Sequence, residues 1–333
     1  MRWYIGVGTG TLLIAAAAAS LLVAQRSAMA TPPAASSPEA GCQDRDGDGF
    51  GLGCRAGKDC NDQDSKIRPG QPETCNLRDD DCNGLVDDMV GCTAPPVDST
   101  RVHIPASKLL MGTETGSPDE RPMHEVGVSA FSLDRHEVTN QQYDACVKAG
   151  ACTAPSLPGS HLRKEYGANP QFAEYPVIFV NWAQAEAYCR AAGGRLPTEA
   201  QWELAARGAA PSKRTYPWGD ESPDCTRANL GGPGGCVGDT DRVGRRPEGA
   251  SPFGVADMAG NVWEWTADWY DAAYYQHGAA SDPQGPASGS LKVMRGGCFV
   301  SGADSLRVSC RKAELPATWA YNVGIRCAYA EVN

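Results

Sequence analysis

The stretch FGVADMAGNVWEWTADWY, residues 253–270, is the most informative part of this 333-residue chain. Its three tryptophans, Trp263, Trp265 and Trp269, are large aromatic side chains that we expect to pack in the core. Asp257 and Glu264 place a carboxylate at each end of an eight-residue segment, with main-chain carbonyls between them. Hard oxygen donors concentrated within eight residues are typical of a calcium site.

Three helices upstream of this stretch are predicted from capping chemistry. Each has Thr or Asn at the N-cap and Gln three residues later, namely Thr139 with Gln142, Asn181 with Gln184, and Thr198 with Gln201. Gly150, Gly193 and Gly208 follow where left-handed C-caps would end the helices. Short apolar runs at 177–180, 293–294 and 323–325 favour strands. With 38 Gly and 24 Pro, the chain is predicted to be α+β with long irregular loops.

Seven motifs, in order, resemble those of the formylglycine-generating enzyme, or sulfatase-modifying factor, family. They are MGTETGSPDERPMHEV (111–126), HEVTNQQY (136–143), PVIFVNWAQAEAYCRAAGGRLPTEAQWELAARG (176–208), YPWG (216–219), residues 253–270, RGG (295–297) and NVGIRC (322–327). The resemblance covers about residues 101–331. It implies that family's fold, which is related to C-type lectins and has little regular secondary structure.

The resemblance also implies a chemistry that this chain lacks. Active members of the family resemble copper-dependent oxidases with two cysteines after an RGGS segment. An ungapped match places Ser301 and Leu306 at those two positions, and Cys298 where the Ser would stand. Copper(I) needs a soft thiolate ligand, which neither a hydroxyl nor a Leu replaces. We therefore expect no copper and no formylglycine-generating activity.

The remaining cysteines are expected to form disulfides. Cys298 and Cys310 are weak candidates for a displaced catalytic pair, and we expect a structural disulfide between them instead. Short spacings favour local bridges between Cys146 and Cys152 and between Cys225 and Cys236. The resemblance, not the spacing, implies a bridge between Cys189 and Cys327.

Two calcium sites are implied by the resemblance. The first maps to Asp257, Gly260, Val262 and Glu264, in agreement with the donor pattern of residues 253–270. The second maps to Asn229 and the carbonyl of Leu230, together with Asp239 or Asp241.

Residues 41–92 form a distinct acidic region. They include six cysteines, twelve acidic and six basic residues, and few large apolar side chains, so a hydrophobic core alone cannot stabilise them. Two D-x-D-x-[DN]-G segments supply the candidate ligands Asp44, Asp46 and Asp48 and the candidate ligands Asp79, Asp81 and Asn83. Their twelfth positions, Arg55 and Val90, are not those of EF-hands. The region resembles a short Asp/Cys metal-binding motif of secreted bacterial proteins. We expect calcium rather than copper, and a solvated, disulfide-bonded acidic loop is the alternative.

The N-terminus predicts export. Residues 1–30 combine Arg2, an apolar run and Ala28-Met29-Ala30, the pattern of a cleaved signal peptide; an uncleaved anchor is the alternative. The predicted order is signal peptide 1–30, linker 31–40, acidic module 41–92, linker 93–100 and large domain 101–333. We expect a periplasmic or extracellular protein with no membrane span in the mature chain.

A net charge of −10 argues against a nucleic-acid partner. Our leading hypothesis is an exported, calcium-binding protein whose large domain is catalytically divergent and binds a peptide, glycan or protein partner. The rival is an oxidase of the same family that uses Cys298 and Cys310. A third hypothesis is a structural or adhesion role centred on the acidic region.

Overall fold

The computed structural model describes residues 42–74, 80–82, 101–232 and 235–331. These residues belong to one compact unit that includes both the acidic region and the large domain. The predicted signal peptide, both predicted linkers, Cys75, Cys92, Asp79 and Asn83 lie outside the described residues.

Nine strands and three α-helices occur in the described part of the chain. The strands are β1 (Arg101–Ile104), β2 (Ser107–Met111), β3 (His124–Val128), β4 (Phe131–Asp134), β5 (Trp263–Trp269), β6 (Lys292–Arg295), β7 (Lys312–Glu314), β8 (Val323–Gly324) and β9 (Ala328–Ala330). The helices are α1 (Asn140–Lys148), α2 (Trp182–Ala191) and α3 (Glu199–Arg207). The strands form three small sheets in the orders β1-β4-β9, β2-β3 and β7-β6-β5-β8. The α+β class with little regular secondary structure is confirmed.

The predicted helix starts are confirmed at all three positions. Thr139, Asn181 and Thr198 are N-caps, and each forms a reciprocal capping box with the Gln three residues later. The glycines after the helices have positive φ, which ends the helical hydrogen-bond ladder where a side chain would be strained.

Of the predicted strands, that at 177–180 is wrong. Residues 177–180 are buried but irregular, because Phe179 has φ +58° and the hydrogen bonds go to separate segments instead of one ladder: Val177 N donates to Val138 O at 2.8 Å and Phe179 N to Ala320 O at 3.0 Å. The predictions at 293–294 and 323–325 correspond to β6 and β8. Trp263 and Trp265 are buried as predicted, whereas Trp269 at the end of β5 is only half-buried.

Buried ion pairs connect α3 to the segment after β6. Arg295 pairs with Glu199 and Glu203 of α3, and Arg311 pairs with Glu199. All four side chains are buried, so these pairs fix the orientation of the segment between Arg295 and Arg311 against the helix.

Five disulfides reinforce the described residues. Cys189–Cys327 joins α2 to the residue before β9, while Cys146–Cys152 and Cys225–Cys236 close short loops, so three of the four predicted pairings in the large domain are confirmed. Cys42–Cys54 and Cys60–Cys82 hold the acidic region. This many disulfides indicates an oxidising compartment. Within the described residues, no helix has the length and apolarity needed to traverse a bilayer.

Candidate functional site

The loop at residues 44–50 gathers three carboxylates. Asp44 folds the loop back by accepting from Gly47 N at 2.7 Å and from Gly49 N at 2.9 Å. Candidate ligand atoms of Asp44, Asp46 and Asp48 lie within 4.8 Å of one another. The Oδ2 atoms of Asp46 and Asp48 are buried and have no hydrogen-bond partner. These free oxygens fit a hard cation, and oxygen-only donors favour calcium.

Asp59 is a further acid beside this loop that the sequence analysis missed. Its side chain is 7% exposed, and its Oδ2 has no hydrogen-bond partner, while its Oδ1 accepts from Asn61 N at 2.8 Å. Burial, together with the charges of Asp48, Asp46 and Asp62, raises the pKa of Asp59. A cation at the loop would relieve this repulsion. The signal for Asp59 in the sequence was its position directly before Cys60, in DCND.

Of the three candidate ligands in the second acidic motif, only Asp81 lies within the described residues. Its backbone N donates to Glu73 Oε1 at 2.9 Å, and the neighbouring Asp80 accepts from Thr74 N at 3.0 Å. These contacts organise the turn that carries Cys82. A metal role for Asp79, Asp81 and Asn83 remains a prediction.

Three carboxylates converge near residues 257–264 of the large domain, two of them buried and that of Asp257 half-buried. Glu264 on β5 is 1% exposed and accepts from Arg326 Nη2 at 2.7 Å and from Trp202 Nε1 at 2.7 Å. Asp257 has φ +59° and accepts from Gly244 N. The third acid is Glu137, which the sequence analysis missed although it stands in the HEVTN motif.

The negative charge of Glu137 is poorly compensated by its surroundings. It is 1% exposed, and burial followed by the charges of Asp257 and Glu264 raises its pKa well above the ordinary value. Val262 N donates to Glu137 Oε1 at 3.3 Å, so the predicted ligand segment contacts Glu137 directly. Arg326 lowers the pKa of Glu137 less than burial and the two neighbouring acids raise it, and a divalent cation would neutralise this excess of negative charge. The acidic donor set therefore fits calcium.

The second predicted site lies against the first. Gly260 has φ +85°, and a Cβ there would approach Asn229 O to 2.2 Å, so only glycine permits this contact. Asn229 Oδ1 is buried without a hydrogen-bond partner. Cys236 N donates to the Leu230 carbonyl, the other predicted ligand, at 3.1 Å.

Of the two acids proposed for this second site, Asp239 is already committed. Its Oδ2 accepts from Ser160 Oγ and from Leu162 N, and Arg163 Nη1 lies 3.5 Å away. Asp241 is fully buried and pairs through Oδ2 with Arg246 Nη1 at 2.5 Å. Both acids therefore have partners of their own, and the contact that the structure gives to Asn229 is with the backbone of Asp239, whose carbonyl accepts from Asn229 Nδ2 at 2.8 Å.

The segment after Arg295 places no thiol pair where the resemblance required one. Leu306 is fully buried in an apolar cluster with Tyr216, Leu230 and Val237. The Ser301 hydroxyl lies 3.2 Å from Cys298 Sγ. A hydroxyl and an aliphatic side chain do not fit a copper(I) centre, which needs soft thiolate ligands.

The predicted disulfide between Cys298 and Cys310 is wrong, because both thiols are free. Cys298 is fully buried, and Asn322 Nδ2 donates to its sulfur at 3.3 Å. Cys310 is partly exposed, and burial raises its pKa to about 11, with Glu120 adding to the effect. A thiol that stays protonated at neutral pH is a poor nucleophile and a poor metal ligand.

A family model, "Sulfatase-modifying factor enzyme 1-like domain", matches residues 93–331. The chain belongs to this family. A second model, described as "Putative metal-binding motif", matches residues 59–88. Asp59, with its free buried oxygen, is the first residue of that match.

Relatives of this sulfatase-modifying-factor-like chain include one named as an enzyme and one named as inactive. The "Formylglycine-generating enzyme" of Streptomyces coelicolor is 34% identical over 69% of this chain and 90% of its own length. The "Inactive C-alpha-formylglycine-generating enzyme 2" of Mus musculus is 30% identical over 69% of this chain and 86% of its own length.

Other similarities concern the shared domain. "Serine/threonine-protein kinase pkn1" of Chlamydia caviae is 37% identical over 70% of this chain, which spans only 38% of that relative's length. Among solved structures, Treponema denticola variable protein 1 matches with a TM-score of 0.58 and 25% identity, over 72% of this chain and 98% of that protein. The family fold of the large domain is thus shown by both sequence and structure.

Proposed function

We propose that this protein is an exported, calcium-binding member of the sulfatase-modifying-factor family that has lost the oxidase chemistry and binds a peptide, glycan or protein partner. The observation that carries the proposal is Leu306. Leu306 stands where the resemblance places the second thiolate. Its aliphatic side chain is fully buried in an apolar cluster and offers no donor atom to copper(I).

The calcium part of the proposal rests on unsatisfied oxygen atoms. Asp46, Asp48 and Asp59 each carry a buried oxygen without a hydrogen-bond partner, as does Asn229 in the large domain. Leaving such a group unpaired and buried costs about 1–3 kcal/mol, and more for a charged group. Calcium takes six to eight oxygen ligands at flexible geometry, which suits both places.

Export is supported by the disulfides. The five bridges of the described residues persist in an oxidising environment, such as the periplasm or the extracellular space. We do not expect the large domain to bind copper, because Cys298 is buried and the raised pKa of Cys310 keeps its thiol protonated at neutral pH.

A second candidate function is favoured by those same free thiols. An oxidase that uses Cys298 and Cys310 requires both sulfurs to be reduced, and both are. Against it stand the complete burial of Cys298 and the raised pKa of Cys310. The two functions differ in one measurable property, namely copper-dependent conversion of a cysteine.

The test incubates purified protein with copper, oxygen and a peptide that contains the sulfatase-type C-x-P-x-R sequence, and mass spectrometry of the peptide detects formylglycine. We expect no conversion, and elemental analysis showing calcium without copper. Conversion by the wild-type protein would overturn the proposal, and its loss in Cys298→Ser would assign the reaction to the rival.

A matched variant tests the reason for inactivity. Ser301→Cys/Leu306→Cys restores sulfur at both positions, and each single substitution is its control. We expect stoichiometric copper(I) binding by the double variant alone, because two thiolates are needed to hold the ion. Equal copper binding by wild type and double variant would contradict the account.

A further inference from the structure

A cavity of about 490 Å³ lies between the acidic region and the large domain. From the large domain its wall includes His161, Leu162, Phe299 and Val300. Leu162 and Val300 are each nearly half exposed, so the cavity presents aliphatic surface to a ligand. His161 stacks on Tyr321 with ring centroids 4.9 Å apart, which fixes the aromatic edge of this wall.

The glycine-rich residues 230–232 join this wall to the segment after Arg295. Gly231 N donates to Ser301 O at 3.0 Å. A Cβ on Gly231 would lie 2.6 Å from the Val300 backbone, so glycine is required for the two segments to approach. The large-domain side of the cavity is therefore a fixed surface built from the chain around the former oxidase position.

The acidic region supplies the opposite wall. Asp59, Cys60 and Cys82 line the cavity, and the Cys60–Cys82 disulfide makes this corner a unit. Asp59 is also the buried acid whose free Oδ2 and acidic neighbours point to a cation. It is thus the residue that belongs both to the cavity wall and to the surroundings of the 44–50 loop.

We propose that calcium bound by the acidic region controls access to this cavity, with Asp59 linking the ion to the cavity wall. This inference rests on the calcium binding proposed above. With the ion bound, Asp59 is held towards Asp46 and Asp48, and the Cys60–Cys82 corner stays against the large domain. Without it, the carboxylates repel one another, the corner moves away, and the cavity opens to solvent.

Two leucines of one loop provide a matched experiment. Leu162 lines the cavity and is 45% exposed, whereas Leu157 is 46% exposed and is not among the cavity-lining residues. Each is replaced separately, as Leu162→Cys and Leu157→Cys, in the full chain. The rate of modification by N-ethylmaleimide is measured at that residue by peptide mass spectrometry, in millimolar calcium and in EGTA. Site-specific detection keeps Cys298 and Cys310 out of the measurement.

We expect Leu162→Cys to react about twofold faster in EGTA than in calcium, because the side chain is already 45% exposed with the cavity closed, and Leu157→Cys to react at one rate in both. Adding Asp59→Asn to Leu162→Cys should give the fast rate even in calcium. Adding Asp144→Asn instead, which alters an acid that pairs with Lys148 on α1 and does not line the cavity, should leave the protection by calcium intact.

Calcium titration calorimetry on the same variants separates the two proposals. Calcium binding with an unchanged Leu162→Cys rate would overturn the control of access and leave the calcium proposal standing. An equal acceleration at both introduced cysteines would also overturn it, because the opening would not be specific to the cavity. Absence of calcium binding would overturn both proposals. If Asp59→Asn fails to fold, the calcium dependence of Leu162→Cys alone still decides.

Discussion

Asn261 donates its side-chain amide to Glu137 Oε2 at 2.6 Å, at the point where the two predicted calcium sites of the large domain meet. The carbonyl of the same side chain accepts from Asn229 Nδ2 at 3.1 Å and from Asp241 N at 2.8 Å. One asparagine thus touches the carboxylate of the first site and the candidate ligands of the second. The two sites are a connected polar network, so a change at one is expected to alter the other.

Glu137→Gln should change stability in opposite directions with and without calcium. In EGTA the substitution removes one of three mutually repelling carboxylates and is expected to be neutral or stabilising. In calcium it removes a ligand, and the stabilisation by the ion should fall by about 1–3 kcal/mol. Urea denaturation in both conditions measures the effect.

Glu186→Gln is the control for this prediction, because Glu186 pairs with Arg190 on the surface of α2. An exposed pair contributes about 0.5 kcal/mol or less, with no dependence on calcium. If Glu137→Gln lowers stability equally in calcium and in EGTA, the carboxylate is structural and the metal assignment at this site fails.

Asp268 should make the protein less stable as the pH rises from about 4 to about 7. Burial, followed by the charge of Glu199, raises the pKa of Asp268 to about 7, against 3.8 in the unfolded chain. Between these values the folded state holds a proton that the unfolded state has lost, so the free energy of unfolding falls as the pH rises, by up to about 1.4 kcal/mol per pH unit. Above the folded pKa the effect is complete.

Asp268→Asn tests this pH dependence. The amide retains an acceptor for Glu199 N, which donates to Asp268 Oδ2 at 2.8 Å, but it cannot ionise. We expect the variant to gain stability relative to wild type at pH 8, with little difference at pH 4. Urea denaturation across this range at constant calcium is the measurement, and parallel curves for the two proteins would refute the prediction.

Local sequence signals predicted the elements that depend on local contacts. The capping boxes at Thr139, Asn181 and Thr198 involve residues three apart, and all three formed as predicted. The apolar run 177–180 predicts a strand, but an apolar run indicates only burial. It does not distinguish a β-strand from a buried irregular segment such as this one, in which Phe179 has positive φ.

The candidate sites could be predicted only where their residues are close in sequence. Asp44, Asp46 and Asp48 are close in sequence, so their convergence could be inferred, whereas Asp59 reaches them only through the fold of the disulfide-bonded region. Glu137 lies more than a hundred residues from Glu264 and comes near it only in the folded domain. The free state of Cys298 and Cys310 likewise depended on long-range packing.

Both free thiols should resist alkylation until the protein unfolds. Cys298 is fully buried, and the raised pKa of Cys310 leaves little thiolate at pH 8. Iodoacetamide followed by peptide mass spectrometry should find both unmodified in the native protein and both modified in denaturant. A cross-linked peptide containing the two cysteines under non-reducing conditions would instead restore the disulfide that the sequence predicted.

The two disulfides of the large domain that differ most in loop length should differ in what they contribute. Cys189–Cys327 joins residues 138 apart in sequence, whereas Cys146–Cys152 joins residues 6 apart. In the chain-entropy model, the bridge that closes the long loop stabilises the fold by about 2–3 kcal/mol more than the short one. Replacing Cys189 and Cys327 together by Ala should therefore cost more than replacing Cys146 and Cys152, as measured by urea denaturation in calcium.

The difference should exceed the entropic value, because Cys189 and Cys327 are fully buried and their truncation also leaves a cavity between α2 and the segment before β9. Equal losses for the two double variants would mean that the unfolded chain retains structure across the long loop, which would remove the entropic advantage of its bridge.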